Sequence, residues 1–187
     1  SKDFETWTNH GLIFHADALD QKLGRENIKA RLADPTLQQP GYNTPAVYNV
    51  DVYNMGVFRY GGLYIGMPAM YHAVGKAPEW RNTTGFHLIQ LVCSRDMRNW
   101  MRLGDRRPFI GPSPLAAGAY DLTQIIGPSN AVVRGDELWF YYTACKYRDA
   151  PEGADPDQGA TCLAVLRRDG FISLDAGEQA GTIQTEP

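Results

Sequence analysis

The feature that most limits what this chain can fold into is an internal repeat. Val57-Phe58-Arg59-Tyr60-Gly61-Gly62-Leu63-Tyr64-Ile65 matches Val132-Val133-Arg134-Gly135-Asp136-Glu137-Leu138-Trp139-Phe140, 75 residues later and without a gap. In both, β-branched or aromatic residues flank a Gly-Gly or Gly-Asp pair, the signature of a tight hairpin. A second pair agrees. Leu91-Val92-Cys93-Ser94-Arg95-Asp96 aligns with Ala164-Val165-Leu166-Arg167-Arg168-Asp169 at an offset of 73. Two offsets that agree this closely mean that a whole supersecondary unit recurs.

Each unit reads as four strands. The first set is Asp51–Tyr60, Leu63–His72, Phe86–Ser94 and Trp100–Leu103. The second is Ile125–Arg134, Leu138–Lys146, Thr161–Arg167 and Phe171–Leu174. A repeat of four antiparallel strands is a propeller blade. A third echo, S-x-D-x-x-x-W, occurs at Ser1–Trp7 and Ser94–Trp100. The Ser and Asp side chains suit a tight turn in which they accept from backbone amides, and the Trp is expected to pack between blades. Asp3, Asp96, Asp136 and Glu137 therefore read as turn residues.

Gly11 to Val50 breaks the repeat. Leu19, Leu23, Ile28 and Leu32 among charged residues predict a short helix over 18–33, with Gly24 as the place where it would break. Gln38–Pro45 is a Pro/Gly/Asn loop. Insertions on one face of a propeller often wall a binding site. The organisation expected is the end of one blade at 1–15, an insertion at 16–48, a blade at 49–110 and a blade at 120–177.

The blade hairpins, the S-x-D-x-x-x-W turns and the run Leu166-Arg167-Arg168-Asp169-Gly170-Phe171-Ile172-Ser173-Leu174-Asp175-Ala176-Gly177 together resemble the five-bladed β-propellers of glycoside hydrolase families 32, 43 and 68 and their uncharacterised bacterial relatives. The fold that this resemblance implies is all-β: part of a five-bladed propeller of four-stranded antiparallel blades with one short helical insertion. Five blades need roughly 300 residues, so the ring would be completed by missing sequence or by another chain. The implied activity is that of a glycoside hydrolase or transglycosidase on a poly- or oligosaccharide. The alternative is a carbohydrate-binding or structural propeller segment without catalysis.

Glycosidic cleavage usually needs two carboxylates. In propellers of this kind they sit on the inner strands, often as Asp-Pro before a Val-Phe pair, with a Glu in the next blade. Here those positions read Asn54-Met55 and Ser129-Asn130, which are departures. The acids left beside the inner strands are Asp51 and Asp121, the catalytic candidates; Asp17 and Asp20 lie in the insertion. Tyr53, Asn54, Tyr71, His72 and Asn130 are the substrate-binding candidates, because sugars are held by aromatic faces and by amide and carboxylate groups. An Asn on an inner strand has few local reasons to be there.

Composition narrows the partners. With 18 basic and 21 acidic residues and a net charge of -3, the chain has no basic face for nucleic acid. No apolar run approaches the roughly 20 residues of a membrane span. The four His show no ligand spacing, and no phosphate loop or nucleophile elbow is present, so neither a metal nor a cofactor is expected. Cys93, Cys145 and Cys162 read as reduced, strand-borne thiols. The start at Ser1-Lys2-Asp3, without Met, points to an upstream cut that would have removed any address. Localisation stays unassigned, and a periplasmic or extracellular site is compatible with the composition.

Overall fold

The computed structural model describes residues 1–184 apart from positions 80, 117, 151 and 152. Two antiparallel sheets and one helix account for most of its regular structure. The first sheet is built from β1 (Asn49–Tyr60), β2 (Leu63–Gly75), β3 (Thr84–Ile89), β4 (Val92–Ser94) and β5 (Met101–Arg102). Strands β3 and β4 pair with successive parts of β2, so they are two halves of one strand position interrupted at Gln90-Leu91. The first repeat therefore has the four strand positions that the pattern predicts.

The second sheet differs. β6 (Gln124–Ile126) and β7 (Val132–Arg134) lie along one edge of β8 (Glu137–Cys145), and β9 (Gly159–Arg167) lies along the other. The expected strand at Phe171–Leu174 does not form. Phe171 instead turns inward and packs against Phe58, Tyr60, Phe109 and Phe140. Burying a ring among four others outweighs extending an edge strand there.

The core lies between the sheets. Phe58, Ile65, Met67, Ala69, Ile89 and Leu91 of the first repeat meet Leu138, Phe140, Tyr142 and Ala144 of β8. Alternation along β8 puts those four on the buried face and leaves Glu137, Tyr141 and Thr143 outward. At one point the two repeats touch backbone to backbone: a Cβ on Gly56 would lie 2.0 Å from the Pro128 carbonyl oxygen and 2.8 Å from Ser129 Cα. Gly56→Ala is therefore expected to cost about 3 kcal/mol in urea denaturation. Gly177→Ala, where a Cβ meets nothing within 4 Å, serves as the control. Equal midpoints for the two variants would refute the backbone junction.

The helix α1 runs unbroken from Ala18 to Ala33. Gly24 does not interrupt it. A Cβ there would fall 2.1 Å from Val50 Cγ2, so the glycine lets the helix lie close against β1. Asp17 caps the helix by accepting from Leu19 and Asp20 amides, and Asp20 reaches back to the Asp17 amide. The acids of the insertion are thus structural. Asp20 is buried and ion-paired to Arg102 at 2.5 Å and Arg106 at 3.0 Å, and Arg106 also binds Asp17 at 2.6 Å.

The Ser/Asp turns form as expected. Asp96 accepts from the amides of Arg98 and Asn99, and Asp3 from those of Glu5 and Thr6. Met97 and Phe4, at the matching place in each turn, adopt φ of 60° and 62°. The tryptophans diverge: Trp100 packs beside Gly66, while Trp7 is exposed. The three cysteines are free, and Cys145 and Cys162 face Gly159 and Tyr142 rather than each other.

Candidate functional site

The site begins with a change of register. Asp51 pairs with Tyr71 and Val52 with Met70, but the next pair is Asn54 with Ala69, so Tyr53 is an extra residue in β1. Tyr71 and Ala69 are two apart and point the same way. Their partners Asp51 and Asn54 therefore share that face. Tyr53, which strict alternation already places there, keeps that direction and contacts Tyr71 at 6.4 Å and His87 at 4.8 Å between ring centroids. A bulge of this kind re-aims side chains. It gathers Asp51, Tyr53, Asn54 and Tyr71 on one face of the first sheet, together with His87, the β3 partner of Tyr71.

The other candidates are placed elsewhere. His72 follows Tyr71 and so points to the opposite face, under α1. It stacks on Phe86 at 4.8 Å, and its Nε2 lies 3.2 Å from the Asn27 amide nitrogen and its Nδ1 3.0 Å from the Met70 carbonyl. Burial pushes its pKa down to about 4. Asp121 is buried beside the inter-sheet core, where it accepts from the Tyr142 hydroxyl at 2.9 Å. Burial and this carboxylate push the Tyr142 phenol well above its usual range. Asp51, by contrast, is exposed and accepts from the Asn49 side chain at 2.7 Å. Asn130 is exposed between β6 and β7, with its side-chain oxygen on the amide of Ala131.

Three further residues complete the face. His87 is fully buried, and neither ring nitrogen has a partner. Burial first, then the positive charge of Arg148, pushes its pKa down to about 3. Arg148 comes from the loop after β8 and lies over the Tyr71 ring, 5.2 Å from its centre. It also donates to the side-chain oxygen of Gln124 at 2.7 Å. Its neighbour Asp149 accepts from the Thr84 hydroxyl at 2.5 Å. The 75-residue offset sets Arg148 and Asp149 level with Ala73 and Val74 of the first repeat. Polar residues where the other copy is apolar are the signal that could have marked them.

Arg148 and Asp149 also line a cavity of about 400 Å³, whose other walls include Gln38, Gly41 and Tyr42 of the insertion and Thr84 of β3. Gly41 makes room, since a Cβ would come within 2.9 Å of the Asp149 carboxylate. The insertion loop is held by Arg31, which donates to the Gln38 carbonyl at 2.6 Å and to the Leu122 carbonyl at 2.6 Å while lying over Phe86. The arrangement offers exposed and half-buried rings, an amide, a carboxylate and a guanidinium on adjoining surfaces. Such groups bind polyhydroxylated or anionic small molecules. Among the described residues, no three His, Cys, Asp or Glu side chains cluster as a metal site.

No family model matches the chain, and no curated protein matches it. Two solved structures resemble it. One is a complex of BT0996 and RGII, at 15% identity over 80% of this chain and 41% of the other, with a TM-score of 0.44. The second is a glycoside hydrolase, at 13% identity over 79% of this chain and 35% of the other, with a TM-score of 0.39. This chain spans less than half the length of either.

Proposed function

We propose that the chain supplies two blades of a carbohydrate-active five-bladed propeller, at 49–110 and 120–177, with the outer edge of a third at 1–15 and an insertion at 16–48. The observation that carries this reading is the bulge at Tyr53. It sets Asp51, Tyr53, Asn54 and Tyr71 on one face, and Arg148 joins that face to a cavity walled by the insertion. The repeat in the sequence and the family resemblance support the propeller. So does an apolar outer face on the second sheet, where Val132, Tyr141, Leu163 and Val165 are 46%, 49%, 40% and 51% exposed. A neighbouring blade would cover it.

The activity proposed is hydrolysis or transfer on a poly- or oligosaccharide, with Asp51 as one carboxylate. A retaining or inverting mechanism needs a second at roughly 5–9.5 Å. Asp121 is engaged with Tyr142, and that observation favours the second reading, glycan binding without cleavage. The two readings share one test. Asp51→Ala in the intact protein is expected to abolish glycan binding or cleavage while leaving the melting temperature nearly unchanged. The carboxylate is exposed, and its one side-chain partner among the described residues is Asn49. A large drop in melting temperature with activity per folded molecule intact would make Asp51 a strand cap and end the reading. Turnover of any glycan by the wild type would remove the binding-only alternative.

A further inference from the structure

We propose that His87, Asn54 and Tyr53 form a closed subsite between the sheets that takes one hydroxyl group of a neutral sugar, with Tyr53 as its movable cover. This rests on the carbohydrate reading above and names an atom-level partner that the reading does not.

Three side-chain atoms on this face are fully buried without a partner: both ring nitrogens of His87 and the side-chain oxygen of Asn54. Each such atom costs about 1–3 kcal/mol, and an apolar residue at either position would avoid the cost. A neutral imidazole presents one N–H donor and one acceptor nitrogen. An alcohol is also both donor and acceptor, so the two are complementary. Arg148, over the ring of Tyr71 that itself packs 5.0 Å from His87, holds a positive charge beside the imidazole. That charge disfavours a metal cation there and favours a neutral ligand.

Access is set by two rings of unequal hold. Tyr71 is anchored, since its hydroxyl donates to the Thr83 carbonyl at 2.7 Å. Tyr53 is 53% exposed, sits at the bulge, and its hydroxyl has no hydrogen-bond partner among the described residues. Its edge contact with His87 is broken by rotating one side chain, and the imidazole then opens to the outside.

The test uses the full chain with glucose, galactose, xylose and arabinose as probes and calcium chloride as the cation comparison. Long-range proton–nitrogen spectra follow the His87 ring nitrogens, assigned with His87→Phe. A saturable shift of those nitrogens with a sugar, and none with calcium, is expected. His87→Phe should weaken that sugar about tenfold, the loss of one hydrogen bond, with an unchanged or higher melting temperature. Tyr53→Ala should speed hydrogen exchange at the His87 ring carbon about tenfold or more, as buried groups exchange on exposure. Sugar binding with the His87 nitrogens unmoved overturns the subsite and leaves the carbohydrate reading standing. Absence of binding by any sugar or glycan overturns both. A calcium-driven shift in place of a sugar-driven one overturns the ligand class, and unchanged exchange in Tyr53→Ala overturns the cover.

Discussion

Between pH 6.5 and pH 4.5 the chain is expected to lose about 5 kcal/mol of stability. Burial holds His72 and His87 at pKa values of about 4 and about 3, against an ordinary 6.5. Both are neutral in the folded chain throughout this window. The unfolded chain takes up a proton on each as pH falls below 6.5, so it binds more protons than the folded chain and gains stability relative to it. The contribution of each histidine is complete above 6.5 and declines by about 1.4 kcal/mol per pH unit until the folded pKa is reached. Hydrogen bonds and Arg106 hold Asp96 and Asp17 below the usual carboxylate range. They stay ionised in the folded chain and weaken it only at lower pH. Urea melts at pH 7.5, 6.5, 5.5 and 4.5 measure the slope, and His87→Phe should remove about half of it. A flat profile from 6.5 to 4.5 would show that neither ring is buried as described.

Asp20→Ala is expected to cost about 3–5 kcal/mol, the range for removing one partner of a buried ion pair. The Asp20 side chain is 1% exposed and stands between Arg102 and Arg106, whose side chains are 14% and 15% exposed. Without it, Arg102 keeps Gln90, the His15 carbonyl and the ring of Phe14 but has no carboxylate. The loss is local as well as global, because these pairs tie the start of α1 to the outer edge of the first sheet. Faster amide exchange along 18–33 and weaker ligand retention at the insertion-walled cavity should accompany it. A loss below about 1 kcal/mol would place the pair in the surface class and leave Arg31 as the insertion's main anchor.

The helix is legible in the sequence because its apolar residues recur at helical spacing, and the hairpins because Gly-Gly and Gly-Asp carry their turn chemistry locally. The Ser/Asp turns are legible for the same reason: donor and acceptor lie within five residues of each other. Phe171 is a different case. Its neighbours in sequence favour extension, but the rings that claim it include Phe109 and Phe58, 62 and 113 residues away. Gly24 reads as a break in the helix because a close approach to Val50 is invisible until the helix is docked.

The site divides along the same line. Which residue types stand near the inner strands, Asp51, Tyr53, Asn54 and Tyr71 among them, is a property of the sequence and its repeat. That Asp51 and Asn54, an odd number of positions apart, face the same way is a property of pairing with β2, where one extra residue in β1 resets the alternation. Pairing likewise sends Tyr71 toward His87 and its neighbour His72 under the helix. Asp121 is drawn inward by Tyr142, and Arg148 and Asp149 reach the first repeat from the second. Turn and helix chemistry is written in runs of a few residues, so the order of the chain is enough to specify the repeat, the turns and the helix. Register and long-range partners depend on which surfaces meet, so the set of side chains sharing the Tyr53 face emerges only when the two repeats and the insertion pack together.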